Sequence, residues 1–488
     1  MKLKQFIDIQ HKHFYEITGL MAIFFIVLTS LIVYTNLSIG VDEGYNLIKA
    51  TLMLDGYSLY RDIWSDQPPV YTFILKVMFA LFGKHAYVAR FVTLIFSINL
   101  VFCIWYSIYL ILDKKAAKLS FIMLLCLPTY IVLSVAIMIG LPAISCAAAS
   151  LLCIFLWHIQ KRWFWIFSSS VFIGISLCIK FFTFPLVPVI FMGLLSSTYC
   201  EKNVNKFSRF LPALFWLFFS ILTLTFILFI SEGLFHLDQL FTGHYNAIKD
   251  KYFSNFSIFQ SLSLSQLIVL AATFLLNIYG VCIALKNRYY LLLYPFSWFC
   301  LNLLIFINIQ PYWWHYFIIL IIPSIYISAY SISILQARAP KLISQNYIYE
   351  NFNFHIIAVL IITSMLSYRV YKMQMYDQTR LNLMAEITNT PGSKKLMITD
   401  DPFYAFESGI NVHPYLAVMS AKRYQTKLLT DNVIISFIKR YSPEFILLSK
   451  QRYEGLDDVL NKNYCPIEIK QIRLYRIKLN NDSCDLKT

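Results

Sequence analysis

Long apolar stretches recur along most of this chain, and they constrain its fold more than any other feature. Of the 488 residues, 58% are hydrophobic and only 14% are charged, whereas soluble domains average about 25% charged residues. Many of the stretches approach the ~20 residues that a helix needs to cross a bilayer core. The sequence therefore predicts a polytopic α-helical membrane protein and excludes a soluble, disordered or fibrous chain.

The apolar stretches predict about eleven transmembrane helices, and the basic residues indicate their orientation. The first stretch is too long for a signal peptide and lacks a cleavage site, so we expect a retained anchor. Lys and Arg concentrate in every second connection, which the positive-inside rule assigns to the cytoplasm. The N-terminus is then cytoplasmic and the C-terminus periplasmic or extracellular, in a plasma (bacterial inner) membrane. The predicted spans are 17–35, 88–112, 117–136, 141–158, 163–179, 181–198, 210–230, 266–285, 289–308, 313–335 and 353–368.

The region after the last span differs in composition from the rest. A transmembrane domain is predicted over 1–368, with large outer loops at 37–86 and 231–265, and an outer domain over 369–488. The outer domain contains strand-like segments at 395–399, 445–449 and 471–479, and a helix-like segment at 431–441. We therefore expect a small α/β domain. It contains Cys465 and Cys484, which an oxidising compartment would allow to pair.

Two adjacent carboxylates, Asp42 and Glu43, follow the first predicted span. The amphipathic stretch after them reaches Leu54 and ends at Asp55-Gly56, which predicts a short helix on the membrane surface. A structural interpretation makes Asp42 the N-cap of this helix and puts Glu43 in its first turn. A functional interpretation makes one of them a general base, because an apolar wall raises a carboxyl pKa toward the working pH. The residues alone leave both interpretations open.

A second surface helix is predicted over Val70–Phe82, because this stretch follows two prolines, precedes Gly83 and is too short to span a membrane. Arg90, at the start of the next span, is either a snorkelling anchor or a phosphate contact. Lys180 likewise either ends two adjoining spans or contacts a phosphate.

The pattern across the first outer loop resembles the GT-C glycosyltransferases, and within them the superfamily of protein O-mannosyltransferases and lipid A aminoarabinose transferases. The pattern consists of Asp42-Glu43-Gly44, Gly56-x-x-x-Tyr60-x-Asp62, Pro68-Pro69, Gly83 and Ala89-Arg90, after a first transmembrane helix. Detailed resemblance covers 17–112. It implies a GT-C fold and the transfer of a sugar from a polyprenyl-phosphate carrier, on the outer side of the membrane and with inversion.

The resemblance also implies roles for individual residues. Asp42 matches the presumed base of the family, Glu43 its acidic neighbour, and Arg90 a basic residue expected near the donor phosphate. Further residues are expected to bind the phosphate or other parts of the substrates. They are Arg61, Lys249 and Lys251 for the phosphate, and Tyr60, Asp66, Gln67, His244, Tyr245, His315 and Tyr316 for the rest. The aromatic residues at 312–316 are first of all explained as an interfacial belt.

Two positions depart from the family pattern. Gln67 stands where many relatives have a lysine, so we expect Lys249 or Lys251 to supply that charge. Gly140 lies in a connection that is acidic in many relatives, which argues against a mechanism with two acids. Asp66, His244 and His315 are chemically suited to bind a divalent metal, but their spacing fixes no ligand set, so no obligatory cofactor is expected.

The expected partners are a polyprenyl-phosphate sugar, membrane lipids and an acceptor protein, lipid or glycan. The net charge of +15 does not indicate nucleic acid, because the basic residues sort by membrane side. Two other functions stay open. A lipid or glycan transporter or flippase would also have many spans, although it places charged substrate sites near mid-membrane. A noncatalytic relative that binds a lipid-linked glycan fits if Gln67 and Gly140 reflect lost chemistry.

Overall fold

In the structure, a computed structural model, the described residues up to 338 form a helical part and those from 396 onward form an α/β part. The structure describes residues 40–199, 206–249, 252, 255–338, 396–448, 453–469 and 472–478. The predicted spans 17–35 and 353–368 and the predicted domain boundary at 368 lie outside these residues. The count of eleven spans and the boundary therefore stay predictions.

Long apolar helices dominate the first part. Six described helices are long and apolar enough to cross a membrane, and they begin within a few residues of the predicted spans, so the chain is an integral membrane protein. The helices are α1 (Val41–Leu54), α2 (Val70–Phe82), α3 (Ala86–Ile111), α4 (Lys114–Leu125), α5 (Pro128–Leu133), α6 (Gly140–Gln160), α7 (Trp163–Ile179), α8 (Leu186–Tyr199), α9 (Lys206–Ile230), α10 (Leu237–Lys249), α11 (Ile258–Ser261), α12 (Leu264–Lys286), α13 (Leu293–Asn308) and α14 (Phe317–Arg338).

The predicted span at 117–136 is divided between two helices. α4 ends at Leu125, and α5 begins at Pro128. Proline fits the first turn of a helix, where its missing N–H costs nothing, but it cannot continue a helix from the preceding turn. A hydropathy average does not register this break.

Helix α6 forms the centre of the helical part, because its apolar segment is buried along its whole length. Alanine and serine are frequent on it, and such small residues allow neighbouring helices to approach closely. Ser150 of α6 and Ser169 of α7 share a hydrogen bond of 2.8 Å between their hydroxyl groups. This packing brings the first residue of α6 and the last residue of α7 to the same side of the membrane.

The two helices predicted between the first two spans are present, while their position on the membrane surface stays a prediction. α1 extends to Leu54, and α2 has the predicted bounds. Gly83 ends α2 with a φ of 88°, a left-handed conformation that glycine adopts without a steric cost. The local stop signals in the sequence were therefore sufficient to place both helices.

The second part is a small α/β domain, as predicted. Its five strands are β1 (Leu396–Thr399), β2 (Asn411–Val412), β3 (Phe445–Leu448), β4 (Tyr464–Ile469) and β5 (Ile472–Ile477), in the order β2-β1-β3-β5-β4. β1 is parallel to β2 and β3, and β5 is antiparallel to β3 and β4. Its helices are α15 (Phe403–Glu407), α16 (Ala421–Gln425), α17 (Asp431–Tyr441) and α18 (Asp457–Asn463). The predicted segments at 431–441 and 445–449 are confirmed, whereas β2 and β4 were not predicted.

This α/β domain, called the outer domain below after its predicted location, packs directly on α1. A β-carbon at Gly44 would lie 2.4 Å from the backbone nitrogen of Phe403, the first residue of α15. Helices α1 and α15 therefore approach too closely for any side chain at position 44. The Tyr45 hydroxyl donates a hydrogen bond to the carbonyl of Asp400 at 3.1 Å. Cys465 of this domain is disulfide-bonded, and its predicted partner, Cys484, lies outside the described residues.

Candidate functional site

Asp42 is exposed, whereas the eight residues that follow it on α1 are buried. The N-cap of α1 is Gly40, so the interpretation of Asp42 as an N-cap is wrong. Its carboxylate stands in the first turn, where the helix dipole favours a negative charge. Burial raises the pKa of the Asp42 carboxyl above its ordinary value, while Lys180 opposes that shift and Asp66 adds to it. The carboxylate thus lies in a protein-lined recess that solvent can enter.

Three lysines lie near this carboxylate, and each of them opposes the rise in its pKa: Lys180, Lys422 and Lys49. Lys49 lies two turns after Asp42 on α1, and its ammonium donates to the Ser65 hydroxyl at 3.5 Å. Burial lowers the pKa of Lys49 and of Lys180 to about 8. Both groups are therefore mostly charged at neutral pH.

Lys180 follows the last residue of α7, and aromatic rings hold its ammonium. Nζ lies 4.3 Å from the ring centroid of Tyr316 and 5.2 Å from that of Phe182, both within the range of a cation–π interaction. The His315 ring stands edge-on to Tyr316, at 4.7 Å between centroids. The predicted residues His315 and Tyr316 therefore lie beside the lysine cluster.

Gly140 begins α6 beside Lys180. A β-carbon at this position would lie 3.9 Å from the Lys180 ammonium. An acidic residue there would therefore be placed to pair with Lys180. Because this chain has glycine instead, that lysine keeps its positive charge available for another anion.

Asp66 pairs with Lys422, a residue of α16 in the outer domain. Burial alone would raise the pKa of the Asp66 carboxyl, but Lys422 and His244 outweigh it and hold the pKa well below the usual range. Burial, and then Lys422, lower the pKa of His244 to about 4. His244 is therefore neutral at neutral pH; its Nε2 donates to the Asp66 carbonyl at 3.2 Å, and its Nδ1 accepts from the Lys422 ammonium at 3.3 Å.

Tyr60 and Gln67 fix the loop that carries Asp66. The Gln67 side chain donates to Asp66 Oδ1 at 3.2 Å, and the Tyr60 hydroxyl donates to the carbonyl of Gln67 at 2.9 Å. The carboxamide of Gln239 joins the same loop by accepting from the Ser65 amide and donating to the Tyr60 carbonyl. Tyr60 is buried with a φ of 72°, so these bonds hold a strained backbone in place.

Glu43 and Arg90 form an ion pair with each other. Their side chains are 3.3 Å apart and almost completely buried, with exposed fractions of 0% and 2%. The second oxygen of Glu43 accepts a hydrogen bond from the Ile137 amide at 2.9 Å. This pair connects α1, α3 and the segment before α6, so it positions the helix that carries Asp42.

Other predicted residues lie farther from the cluster or outside the described part. Arg61 is exposed and pairs with Asp62 and Glu232 at 3.6 and 3.8 Å. Tyr245 is also exposed. The side chain of Lys249 and the whole of Lys251 lie outside the described residues, so their predicted role stays a prediction.

The residues around Asp66 and His244 are poorly suited to a metal ion. The two side chains are 3.9 Å apart, but the Lys422 ammonium contacts both of them, and its charge opposes a second cation. In the part of the chain that the structure describes, no group of three or more His, Cys, Asp or Glu side chains has a metal-binding arrangement. The described donors therefore favour an anion near these lysines.

Sequence reasoning missed two members of the cluster. Lys49 stands seven residues after Asp42, a spacing that places both on one face of a helix, so the helical period carried a usable signal. Lys422 comes from the outer domain, 356 residues after Asp66. No local pattern connects those two positions.

Comparisons with known proteins agree with this architecture. The sequence profile described as Dolichyl-phosphate-mannose-protein mannosyltransferase matches residues 66–228, and no curated protein sequence matches the chain. ArnT from Cupriavidus metallidurans bound to undecaprenyl phosphate has a similar structure, with a TM-score of 0.63 and 15% identity over 94% of this chain and 97% of that one. The oligosaccharyltransferase AglB from Archaeoglobus fulgidus, in complex with an inhibitory peptide and a dolichol-phosphate, is also similar. Its TM-score is 0.51 and its sequence identity 10%, over 92% of this chain and 72% of that one. The chain therefore has the GT-C fold.

Proposed function

We propose that this chain is a membrane glycosyltransferase that moves a sugar from a polyprenyl-phosphate carrier to an acceptor on the outer side of the membrane. The observation that carries the proposal is the exposed Asp42 side chain, whose carboxylate lies close enough to Lys49, Lys180 and Lys422 for their charges to lower its pKa. The shared fold with ArnT, whose crystal structure holds undecaprenyl phosphate, supports the same substrate class. The match to the mannosyltransferase profile supports it independently.

In the proposed reaction Asp42 acts as the general base. It removes a proton from an acceptor hydroxyl or amine, which then bonds to the anomeric carbon of the sugar. The acceptor attacks the face of that carbon opposite the phosphate oxygen. The bond between the carbon and this oxygen breaks, so the configuration at the anomeric carbon is inverted. The electron pair leaves with the polyprenyl phosphate, whose new negative charge Lys49, Lys180 and Lys422 stabilise.

The formal charges of the described cluster suit these reactants. Lys49, Lys180 and Lys422 carry one positive charge more than Asp42 and Asp66 balance, and a sugar phosphodiester supplies one negative charge. During transfer Asp42 becomes neutral as it takes the proton. The leaving phosphate monoester gains up to one further negative charge. The total charge in the cluster therefore stays close to zero while negative charge moves from Asp42 to the phosphate.

The site lies at the membrane side opposite the basic connections. Helix α3 runs from Ala86 in the first outer loop to Ile111, and Lys114 and Lys115 follow it directly. Positive connections favour the cytoplasm, and Asp42 and Lys180 belong to the other side. We accordingly place the site on the periplasmic or extracellular face, with the N-terminus in the cytoplasm, as in a bacterial inner membrane protein.

The pH dependence of transfer tests this arrangement. Asp42 must be ionised to accept a proton, and its pKa is raised above the ordinary 3.8, so kcat/KM should rise with pH through that raised pKa. Lys49 and Lys180 must be charged to bind phosphate, so kcat/KM should fall as pH rises through about 8. The measurement uses a radiolabelled polyprenyl-phosphate sugar and isolated membranes.

The exposed Lys84 of the same outer loop provides the control. Lys84→Gln removes a lysine whose partner is Asp55, away from the cluster, and should leave the bell-shaped profile unchanged. A kcat/KM that kept rising beyond the lysine pKa would contradict the phosphate-binding role of these lysines. No transfer at any pH by the unmodified chain would favour a noncatalytic glycan-binding protein.

A further inference from the structure

Lys422 is the one described lysine of the outer domain that contacts the loop of Asp66. Its ammonium pairs with Asp66 and donates to Nδ1 of His244, and the two paired side chains are only 14% and 10% exposed. Its charge also acts on Asp42 and on Lys180. A residue of the α/β part therefore completes a cation cluster whose other members, Lys49 and Lys180, belong to the helical part.

We infer that Lys422 is a phosphate-binding residue supplied by the outer domain, and that Asp66 holds it in place until the lipid phosphate arrives. This inference rests on the proposed function and assigns one part of its donor site to the outer domain. On donor binding the ammonium of Lys422 exchanges a carboxylate oxygen of Asp66 for a phosphate oxygen. One negative charge therefore pairs with the ammonium of Lys422 both before and after that exchange.

Arg423, the residue after Lys422, holds helix α16 in place. The Arg423 guanidinium lies between the rings of Trp64 and Tyr415, at 4.5 and 4.6 Å from their centroids. Its Nη1 also donates to the carbonyls of Tyr415 and Val418 at 2.7 and 3.1 Å. Because Trp64 is two residues before Asp66, this stack fixes α16 against the loop through Arg423, without using the ammonium of Lys422.

The other contacts of Asp66 suit a holding role. Gln67 donates to its Oδ1 at 3.2 Å, whereas Lys422 contacts Oδ2. When Lys422 turns away, Asp66 therefore keeps one hydrogen bond and the nearby charge of Lys49. The carboxylate does not become an isolated buried charge, which would oppose the exchange.

Binding of radiolabelled undecaprenyl phosphate to the purified full chain in detergent tests the inference. Lys422→Gln is expected to weaken binding about tenfold to a hundredfold, the usual range for a lost charge-assisted hydrogen bond. Lys422→Arg keeps the charge and should retain most of the affinity. Lys439→Gln, at an exposed position of α17 in the same domain, should bind as tightly as the unmodified chain. Inorganic phosphate should compete weakly, because it lacks the lipid.

The holding role of Asp66 requires a second pair of variants. Asp66→Asn should tighten binding of undecaprenyl phosphate when Lys422 is present, because it releases the ammonium. The same change in the Lys422→Gln background should give a smaller gain. An equal gain in both backgrounds would show that Asp66 does not act through Lys422, and would overturn that part of the inference.

Hydrogen exchange distinguishes phosphate binding by Lys422 from a role in holding the outer domain on α1. The backbone amides of 44–50, which lie under the outer domain, should keep their protection in Lys422→Gln, because the contacts of Tyr45 and Trp64 persist. Lost protection would mean that Lys422 serves docking, and unchanged affinity would mean that it does not bind phosphate. Either result overturns the inference but not the proposed function. Failure of the unmodified chain to bind undecaprenyl phosphate would instead contradict the function itself.

Discussion

Replacing Asp42 with asparagine is expected to lower the rate of sugar transfer about 10²- to 10⁴-fold, the usual contribution of a general base. The amide has nearly the same shape but does not accept the acceptor proton. Donor affinity should not fall, because the change removes a negative charge from a site that binds phosphate. Initial rates and donor affinity measured on the same membranes separate these two effects.

Asp55 offers a matched control for that change. It lies directly after α1, and its exposed carboxylate pairs with Lys84 rather than with the lysine cluster. Asp55→Asn should therefore transfer sugar at the unmodified rate. Transfer by Asp42→Asn at a rate close to that of Asp55→Asn would refute the assignment of Asp42 as the base.

Glu43→Gln is expected to cost about 3–5 kcal/mol of stability, because it removes the carboxylate that forms a buried ion pair with the Arg90 guanidinium. Both side chains are almost inaccessible to water, so solvent cannot replace the lost partner. The loss should appear as a lower midpoint in a thermal or denaturant unfolding experiment on the purified protein. Activity should fall along with the folded fraction, since α1 loses its anchor.

A double variant distinguishes a positioning role from a chemical one. Glu43→Gln combined with Arg90→Met removes both charges and should recover much of the stability, as replacement of whole buried pairs often does. If Glu43→Gln left the unfolding midpoint unchanged but abolished sugar transfer, Glu43 would instead take part in the chemistry. That result would contradict the positioning role assigned here.

Local signals explain what the sequence predicted well. Proline before α2 and Gly83 after it fix the bounds of that helix, because both residues restrict the backbone regardless of distant contacts. The helix at 431–441 follows in the same way from its hydrophobic period, and the strand at 445–448 from a short, continuous apolar run. The membrane fold itself follows from apolar length, which the bilayer demands of any spanning helix.

The sequence did not predict that Asp42 and Glu43 have different environments and roles. Successive residues on a helix point about 100° apart, so one carboxylate enters the recess while the other meets Arg90. Sequence shows two adjacent acids, but not the direction in which the helix faces. The contribution of Lys422 depends on how the outer domain packs against Gly44, a contact between distant parts of the chain. No periodicity or motif reports such a contact.

The most direct measurement of the central claim uses the purified chain in lipid vesicles with a polyprenyl-phosphate sugar labelled in both the sugar and the lipid. Membranes from cells that lack the protein supply the acceptor. We expect one polyprenyl phosphate to be released for each sugar transferred, and neither product to form with Asp42→Asn. Movement of the intact donor between leaflets without cleavage would contradict this account and identify the chain as a lipid transporter.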